Sequence, residues 1–477
     1  MSDTAPRYAD ARELAAEVLA RTRANGPFVS DLFDGMAADS GLDARDRHLA
    51  FELACGVVRH RRTLDCVLSA YSDRRIEKIA PPLKLLLRLG AYQLLLLERV
   101  PDHAAVNSTV ELGKAWARKR LKKHPTSIAS FVNGLLRTLA DESRRVDRAA
   151  GEDPRRVIEL PGASGFVVVG RDVLADPKAS PADHLADAFS LPSWLAARWI
   201  ERFKPGRAVE VARAQNRRPG LSLRVNTLLT DAAKVRDLLE AEGVQTAPLA
   251  QGLTPMLRVT GGDALGSRAL RDGLVQPQDA LSARVVEQLG LKGGMTVLDR
   301  CAAPGTKTTQ IAAMMGDRGT VLAVDVSKAG LDRVHANARR MGCHIVHTML
   351  AADMPARLVD LAADIGRIDR VLIDAPCSNS GVLARRPEAR WRLSAESIHR
   401  QVAIQRELLM DGLNWLAPGG KCVYSTCSIE PEEDEQVVQY AVGKRHGQAR
   451  LLSERLTLPS LRDDHDGGYW AILERVR

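Results

Sequence analysis

The second half of the chain alternates short apolar runs with amphipathic segments, and this alternation restricts the possible folds more than any other feature. Helical periodicity follows each of the first four apolar runs. Such alternation favours right-handed crossovers and a mostly parallel sheet with helices on both faces, which predicts an α/β domain over 273–477. The predicted strands are 296–299, 321–324, 345–348, 371–373 and 422–425, and the predicted helices are 308–315, 327–340, 356–363 and 394–416.

The first half has a different pattern. Apolar residues recur at helical spacing through 1–140, which predicts an all-α bundle. Charged and Pro/Gly-containing stretches over 141–182 bracket one β-like run, 166–170, and we interpret this part as a linker with a small ordered piece. Short helices and strand-like segments alternate over 183–272, which predicts a small α+β domain. The sequence therefore indicates a multidomain protein.

Composition excludes several classes of protein. Of the 477 residues, 45% are hydrophobic, too many for a disordered scaffold, and the formal net charge of +9 fits a polyanionic partner without requiring one. Apolar runs are too short for a membrane span, and the N-terminus lacks an export signal, so we expect a cytoplasmic protein without membrane contact. The seven cysteines show no metal-ligand spacing, and we expect reduced thiols and no metal site.

A segment of small residues separates the first strand of the α/β domain from its first helix. Small side chains there let the backbone approach a ligand at the helix N-terminus, and the pattern matches neither phosphate-binding loop of the dinucleotide or P-loop type. Asp325 ends the next strand and is placed to accept ribose hydroxyls, while Asp353 follows the third strand and could receive an adenine amino group. An adenosine ligand without a phosphate loop indicates S-adenosyl-L-methionine. The segment comprises Cys301, Ala302, Ala303, Pro304, Gly305 and Thr306, followed by Lys307.

The alternative for both carboxylates is that they cap helices on surface loops. Taken one at a time, Asp325 and Asp353 fit either interpretation. Their combination with the small-residue segment favours the cofactor pocket.

Two cysteines lie at predicted strand ends. Cys377 follows the fourth strand within Asp374–Ser378, and Cys427 follows the fifth within Ser425–Ser428. Consecutive carboxyl ends of a doubly wound sheet face one crevice, so both thiols would point at a substrate beside the cofactor. A thiolate adding to carbon 6 of a cytosine makes carbon 5 nucleophilic enough to accept a methyl group. The alternative is a pair of buried structural cysteines.

At these residues the chain resembles the Sun/RsmB family of RNA cytosine-5 methyltransferases. The N-terminal part is similar to the NusB-like RNA-binding domain that accompanies the bacterial ribosomal members of that family. The stretches that carry the first resemblance are CAAPGTKT (301–308), SKAGLDRVHANARRMG after Asp325, DAPCS (374–378), GVLARRPEARW (381–391), STCS (425–428) and EPEEDE (430–435). Those that carry the second are ELACGVVRHRRTLD (52–65), LRLGAYQLL (87–95), VPDHAAVNSTVELGK (100–114) and FVNGLLR (131–137).

The resemblance implies a role for each site residue. Cys427 would be the nucleophile and Cys377 would assist product release, although spacing alone leaves the two thiols open because DNA enzymes use the cysteine of a Pro-Cys pair. Asp374 would contact the cytosine and the cofactor, and Lys307 would lie near the reacting centre and also contact the cofactor. The remaining cofactor-binding residues would be Cys301, Ala302, Ala303, Pro304, Gly305, Thr306, Asp325 and Asp353.

Other motifs of the resemblance are less direct. Arg224–Thr227 resembles the entry to the methyltransferase region, and Gln278–Asp279 resembles a segment lining the pocket. The chain departs from the commoner pattern at Asn379–Ser380, where Gly-Thr is more frequent.

Basic residues indicate where RNA would bind. One cluster follows the DAPCS strand, where arginines over the crevice could hold phosphates, and another lies in the N-terminal bundle, where a solvated helix face is the alternative. The resemblance implies a monomer that methylates carbon 5 of a cytosine in small-subunit (16S) ribosomal RNA, unassembled or partly assembled. A transfer-RNA cytosine-5 methyltransferase and a non-catalytic RNA-binding assembly factor are the alternatives. The predicted RNA-binding residues are Arg385, Arg386, Arg390, Lys119 and Arg120.

Overall fold

The computed structural model of the chain comprises two compact units. The first unit is Met1–Arg218 with Leu383–Arg392, and the second is Pro219–Val382 with Leu393–Arg477. Neither unit contains, in its described part, a helix long and apolar enough to cross a membrane. The described residues are 7–23, 26–72, 76–162, 164–249, 252–354, 356, 367–445 and 447–476.

Seven α-helices lie in the described residues of the N-terminal part of the first unit and confirm the predicted bundle. Aspartates begin two of them: Asp10 accepts hydrogen bonds from the first-turn amides of α1, and Asp43 accepts one from the amide of Asp46 at the start of α3. The helices are α1 (Ala11–Arg21), α2 (Val29–Ala37), α3 (Ala44–Arg59), α4 (Arg61–Tyr71), α5 (Pro81–Leu96), α6 (Asp102–Trp116) and α7 (Pro125–Asp141).

The segment that we interpreted as a linker is more ordered than its composition indicates. It contains β1 (Ser143–Val146), β2 (Val157–Glu159) and β3 (Phe166–Val169), paired antiparallel in the order β1-β3-β2. Only β3 lies in the predicted β-like run, because β1 is short and half charged and carries no apolar signal. Three further helices complete this unit before residue 219: α8 (Pro181–Phe189), α9 (Ser193–Phe203) and α10 (Pro205–Gln215).

A four-stranded antiparallel sheet opens the second unit and confirms the predicted α+β character. Its order is β5-β6-β4-β7, and α11 covers it with buried Val235 and Leu239. The elements are β4 (Ser222–Val225), α11 (Ala232–Ala241), β5 (Gln245–Leu249), β6 (Met256–Gly261), α12 (Arg268–Arg271) and β7 (Val275–Pro277).

The rest of the second unit is built on a seven-stranded sheet, and the helix predicted over 356–363 falls almost entirely outside the described residues. Its elements are α13 (Ala280–Glu287), β8 (Thr296–Asp299), α14 (Thr306–Met314), β9 (Thr320–Asp325), α15 (Lys328–Arg340), β10 (Val346–Leu350), β11 (Ile368–Asp374), α16 (Ala389–Arg392, which belongs to the first unit), α17 (Ala395–Trp415), β12 (Leu416–Thr426), α18 (Glu435–Lys444), β13 (Ala449–Thr457) and β14 (Gly468–Arg475).

The strand order β10-β9-β8-β11-β12-β14-β13 sets where a ligand can bind. Strands β8 to β12 are parallel, as the sequence predicts, and β14 runs antiparallel to both of its neighbours. From β8 the chain adds β9 and then β10 on one side of β8, and it then returns to form β11 on the opposite side of β8. Ligands bind beyond the carboxyl ends of parallel strands at such a switch point.

The segment Leu383–Arg392 packs into the first unit through Arg390. The Arg390 side chain is completely buried, and its guanidinium donates hydrogen bonds at 2.8–3.3 Å to main-chain and side-chain oxygens. Burying a guanidinium is costly unless hydrogen bonds compensate, and the bonds donated by Nη1 and Nη2 of Arg390 fix the segment in place, while its Nε has no partner among the described residues. The acceptors are the carbonyls of Arg59, Phe189, Ser190, Gln215 and Leu383 and Oδ1 of Asn216.

We expect Arg390→Met to lower the free energy of unfolding by at least about 2 kcal/mol, because several buried carbonyls lose their donor at once. Arg386→Met, in the same segment but with a half-exposed ion pair, should cost less than about 1 kcal/mol. Urea unfolding followed by circular dichroism compares the two. Equal costs would contradict the anchoring role of Arg390.

Candidate active site

The candidate site lies where β8, β9, β11 and β12 end, and Asp299 supports its floor. Asp299 is the last residue of β8 and is buried, and its Oδ2 accepts a 2.7 Å hydrogen bond from Thr308 Oγ1 on α14. Burial raises the pKa of Asp299 to about 7. The contact joins the strand before the small-residue segment to the helix after it, although sequence reasoning gave Asp299 no role.

Gly305 permits the tight exit from that segment into α14. Its φ of 99° is left-handed, and a Cβ atom there would stand 2.9 Å from the Cα atom of Val334. Helix α14 begins at the next residue, Thr306, so Lys307 lies in its first turn.

Asp325 lies beside the same segment. Its Oδ2 accepts the amide of Ala303 at 3.1 Å and its Oδ1 the amide of Ser327 at 2.9 Å, which leaves each oxygen a lone pair. The N-cap of α15 is Ser327, so the helix-cap alternative fails for Asp325. Sequence reasoning missed Val326, an apolar side chain that is 85% exposed directly after Asp325.

Asp353 follows β10 at the same sheet edge. Its amide donates to the carbonyl of Leu350 and its side chain is exposed. The structure thus brings Asp325 and the small-residue segment into contact, and places Asp353 beyond the adjacent strand, where its amide bonds to Leu350.

Lys307 and Asp374 form an ion pair at the end of β11. Lys307 Nζ lies 2.5 Å from Asp374 Oδ2, and Asp374 Oδ1 accepts a 2.9 Å hydrogen bond from Ser425 Oγ on β12. Burial by itself would lower the pKa of Lys307, but the charge and hydrogen bond of Asp374 outweigh it and raise the pKa. The ammonium is therefore charged at neutral pH, and the thiol of Cys427 contributes to the same shift.

The two predicted thiols meet. Cys377 Sγ and Cys427 Sγ are 3.0 Å apart, with Cys377 buried and Cys427 half-buried. The hydrogen bond with Cys427 and burial hold the pKa of Cys377 well above that of a free thiol, so Cys377 stays protonated. The structure thus brings together Cys377, Cys427, Asp374 and Lys307 as the sequence predicts.

Asn379 adds an amide to this pair. Its φ of 62° is left-handed, a conformation that glycine or asparagine adopts most readily. Its Nδ2 donates to the carbonyl of Cys377 at 3.0 Å, and its Oδ1 lies 3.2 Å from Cys427 Sγ. Because the carbonyl of Cys377 requires a donor, the amide oxygen faces the thiol and accepts its S–H.

Glu433 ties the two cysteine loops together from behind. This buried carboxylate accepts hydrogen bonds from the amide and hydroxyl of Ser378, which follows Cys377, and from the hydroxyl of Ser428, which follows Cys427. Gln405 Nε2 on α17 adds a fourth at 3.1 Å. Sequence reasoning had Glu433 only as part of an acidic motif; the serine after each cysteine is the signal that could have revealed it.

Arg224 and Gln278 support the site from below and do not face its ligands. Arg224 is fully buried, donates to Gln278 Oε1 at 2.7 Å and reaches Thr309 Oγ1 of α14 at 2.9 Å. Asp279 caps α13 by accepting the amide of Leu281. Gln278 and Asp279 thus have structural contacts, and the pocket-lining role that the resemblance implies for 278–279 stays a prediction.

The predicted RNA-binding arginines after DAPCS lie in the first unit. Arg390 is buried, as described above, and is not available to a phosphate. Arg386 Nη1 lies 3.2 Å from Asp31 Oδ1 and its guanidinium packs over the ring of Phe28, while Arg385 also has a partner within the protein. The expectation that Arg390 binds RNA overlooked its buried anchoring contacts, whereas the roles of Arg385 and Arg386 stay predictions.

The N-terminal basic cluster is partly neutralised. Arg120 pairs with Glu17 at 2.6 Å and packs over the ring of Trp116, and Lys114 pairs with Glu111. The side chain of Lys119 lies outside the described part of the structure.

Among the described residues, no group of three or more His, Cys, Asp or Glu side chains is arranged to hold a metal ion.

Three family models match the chain, one in each predicted domain. The NusB family matches residues 9–141, a ferredoxin-like domain of RsmF/B-like methyltransferases matches 191–254, and the 16S rRNA methyltransferase RsmB/F family matches 286–463.

Curated relatives match over most of their own length. A probable ribosomal RNA small subunit methyltransferase B of Bacillus subtilis is 31% identical over 90% of this chain and 87% of the relative. The ribosomal RNA small subunit methyltransferase B of Vibrio cholerae is 29% identical over 92% of each chain.

Solved structures share the fold. The crystal structure of PH0851 covers 99% of this chain and 100% of its own, with a TM-score of 0.73 and 24% identity. The crystal structure of NSun6 from Pyrococcus horikoshii with SFG covers 60% of this chain and 98% of the NSun6 chain, with a TM-score of 0.54 and 20% identity. From the family models and the curated relatives together, we conclude that this chain belongs to the RsmB/F family of 16S rRNA methyltransferases.

Proposed function

We propose that the protein transfers a methyl group from S-adenosyl-L-methionine to carbon 5 of a cytosine in 16S ribosomal RNA, through a covalent bond between Cys427 and carbon 6. The observation that carries the proposal is the pair of thiols, 3.0 Å apart, beside the Lys307–Asp374 ion pair. As a monomer in the cytoplasm, it would meet ribosomal RNA that is unassembled or only partly assembled.

The residues at the sheet edge fit the cofactor, which supplies an electrophilic methyl group when bound. The carboxylate oxygens of Asp325 keep lone pairs for two ribose hydroxyls, and exposed Val326 offers an apolar surface to the purine. Asp353 would accept the adenine amino group. The small side chains of 301–305 would let the backbone approach the ligand, and Asp374 lies where the cofactor and the base meet.

In the proposed chemistry, Cys427 gives up its proton to solvent and its thiolate adds to carbon 6 of the cytosine. The electron pair of the 5,6 double bond then makes carbon 5 the nucleophile that takes the methyl group, and the bond from that methyl group to the sulfonium sulfur would break with its electron pair left on the sulfur, as a neutral thioether. Charged Lys307 stabilises the thiolate electrostatically, and Asp374 accepts a hydrogen bond from the exocyclic amine of the base.

Release requires loss of the proton at carbon 5, which restores the double bond and breaks the carbon–sulfur bond. The departing sulfur becomes a thiolate beside Cys377, whose Sγ lies 3.0 Å from Cys427 Sγ in the structure. Because Cys377 stays protonated, its S–H can donate a hydrogen bond to that sulfur and make it a better leaving group. This division of labour makes Cys427 the nucleophile and Cys377 the release residue.

The alternatives differ in substrate or in catalysis. A relic with only an assembly role would have no reason to keep the thiol pair, Lys307–Asp374 and Glu433 in mutual contact. A transfer-RNA enzyme would share all of these contacts, and the named relatives favour ribosomal RNA. Mapping 5-methylcytosine in 16S ribosomal and transfer RNA, with the gene deleted and then restored as wild type or Cys427→Ala, tests all three. One 16S position should lose its methyl group and regain it only with the wild type.

We expect Cys377→Ala to accumulate a covalent RNA–protein adduct, because addition proceeds while release stalls. Cys427→Ala should form no adduct and transfer no methyl group. Denaturing gels of each variant with radiolabelled 16S transcript and cofactor make the comparison, and buried Cys422→Ala, remote from the strand ends, serves as a control without adduct. Exchange of the two phenotypes would reverse our assignment of the thiols.

We expect Asn379→Gly and Asn379→Asp to change the alkylation rate of Cys427 in opposite directions. Glycine removes the amide oxygen that accepts the S–H, so the rate near neutrality should rise about threefold; aspartate adds a negative charge beside the sulfur and should lower the rate. Iodoacetamide alkylation of the Cys427 peptide, followed by mass spectrometry against time, measures the rate in each variant.

The other groups facing this thiol are Lys307 on α14, Asp374 at the end of β11, Cys377, and Glu433 behind the loops, and all are unchanged in both variants. If both variants changed the alkylation rate of Cys427 in the same direction, the loop would have loosened generally, and the assigned contact between Asn379 Oδ1 and Cys427 would be contradicted.

A further inference from the structure

A cavity of about 240 Å³ lies within the first unit, where α1, α3, α4 and α5 meet the segment Leu383–Arg392. Its walls combine aliphatic side chains, one indole ring and several guanidinium groups. The lining residues are Leu19, Thr22, Arg23, Val57, Val58, Arg61, Leu85, Arg88, Glu388, Trp391 and Arg392.

Arg61 is the central cation of this cavity. It begins α4, and its guanidinium lies 4.9 Å from the centroid of the Trp391 ring. Burial, with repulsion from Arg88, lowers its pKa. Within the described part of the chain no carboxylate forms an ion pair with Arg61: the charge of Asp65 acts on it, but the carboxylate of Asp65 is paired with Arg88 at 2.7 Å. Arg61 is exposed at this position, and a guanidinium held against an indole ring with no ion pair of its own can bind an anionic ligand.

Two more guanidinium groups, those of Arg23 and Arg392, add to the positive charge of the cavity lining. Arg23 donates only to main-chain carbonyls, and Arg392 donates to carbonyls and packs over the ring of Phe28. Neither has an acidic partner among the residues described. Glu388 is the one carboxylate among the described lining residues; its Oε1 accepts the amide of Val29, while its buried Oε2 has no hydrogen-bond partner in that same part of the structure. The charge balance therefore favours a phosphate over a cation.

The uncharged part of the lining suits a planar ring. Leu19, Val57, Val58 and Leu85 provide apolar walls, and the indole of Trp391 is fixed in orientation by a 3.0 Å hydrogen bond from Nε1 to the carbonyl of Val58. Bases stack on such rings and on arginine planes when they are not paired in a helix. A ligand with both a phosphate and an unstacked base satisfies both parts of the cavity.

We propose that this cavity binds one unpaired nucleotide of the RNA substrate, its phosphate at Arg61 and its base against Trp391 and the aliphatic wall. The inference rests on the proposed function for the identity of the RNA, but the cavity is separate from the thiol site. The segment that carries Trp391 was predicted to bind RNA through Arg390; in the structure Arg390 anchors the segment, and its neighbour Trp391 lines the cavity.

Arg61→Gln and Trp391→Leu separate the two contacts. Loss of the phosphate contact should weaken binding of 16S transcript about tenfold and reduce the slope of log affinity against log salt by about 0.7, the value for one phosphate on a single strand. Loss of the ring should weaken binding by at least about fivefold and leave that slope unchanged. Filter binding over a series of salt concentrations measures both quantities.

Three controls complete the experiment. Arg207→Gln removes the same charge from an exposed ion pair outside the cavity and should change affinity little. Arg61→Lys should keep the salt slope. Adenosine and cytidine monophosphates compete with the transcript if the cavity takes free nucleotides as well, and their failure to compete identifies it as a site for RNA alone.

Methyl transfer at saturating transcript should continue in both cavity variants, because neither residue touches the thiols. An unchanged affinity and salt slope in Arg61→Gln would overturn the nucleotide site and leave the catalytic proposal standing. Failure of the wild type to methylate the transcript would instead overturn the proposed function.

Discussion

The parallel pairing of β11 with β12 is the constraint on which the candidate active site depends. Asp374 pairs with Ser425 in that register, so the chain leaves both strands at the same level of the sheet. Cys377 lies three residues beyond the first partner and Cys427 two residues beyond the second. A shift of one residue would send one thiol to the other face, and covalent catalysis with a separate release residue would lose its geometry.

Register alone does not hold two loops in place, and the buried carboxylate of Glu433 supplies the remaining contact. It accepts donors from the residue after each cysteine, so neither loop can move without breaking a hydrogen bond to a buried carboxylate. Burial raises the pKa of Glu433, while the donated hydrogen bonds favour its charged form. The Lys307–Asp374 ion pair is a second fixed contact. The thiols therefore have this ion pair on one side and the hydrogen bonds of Glu433 to the two loops on the other.

The sequence predicted those elements of the structure that show a regular spacing of apolar residues, and those site residues that lie in a recognisable motif. The strand 296–299 agrees with β8, and the carboxylates and cysteines lie at strand ends as expected, because parallel β/α alternation leaves few other arrangements. Strands β1 and β2 were missed, since such short strands gain their stability from packing that no local pattern records. The pairing of β13 with β14 was also missed, although the apolar run 469–473 within β14 is a strand signal. Arg390 was assigned to the surface because arginine usually lies there, and its six buried acceptors come from distant parts of the chain.

The central claim is that the sulfur of Cys427, and not that of Cys377, bonds to the pyrimidine. RNA carrying 5-fluorocytidine at the target position tests it on the wild-type protein, because fluorine at carbon 5 leaves no proton to remove and the adduct persists. Digestion of the trapped complex and mass spectrometry should find the nucleotide on the peptide containing Cys427. A nucleotide on the Cys377 peptide would contradict this account.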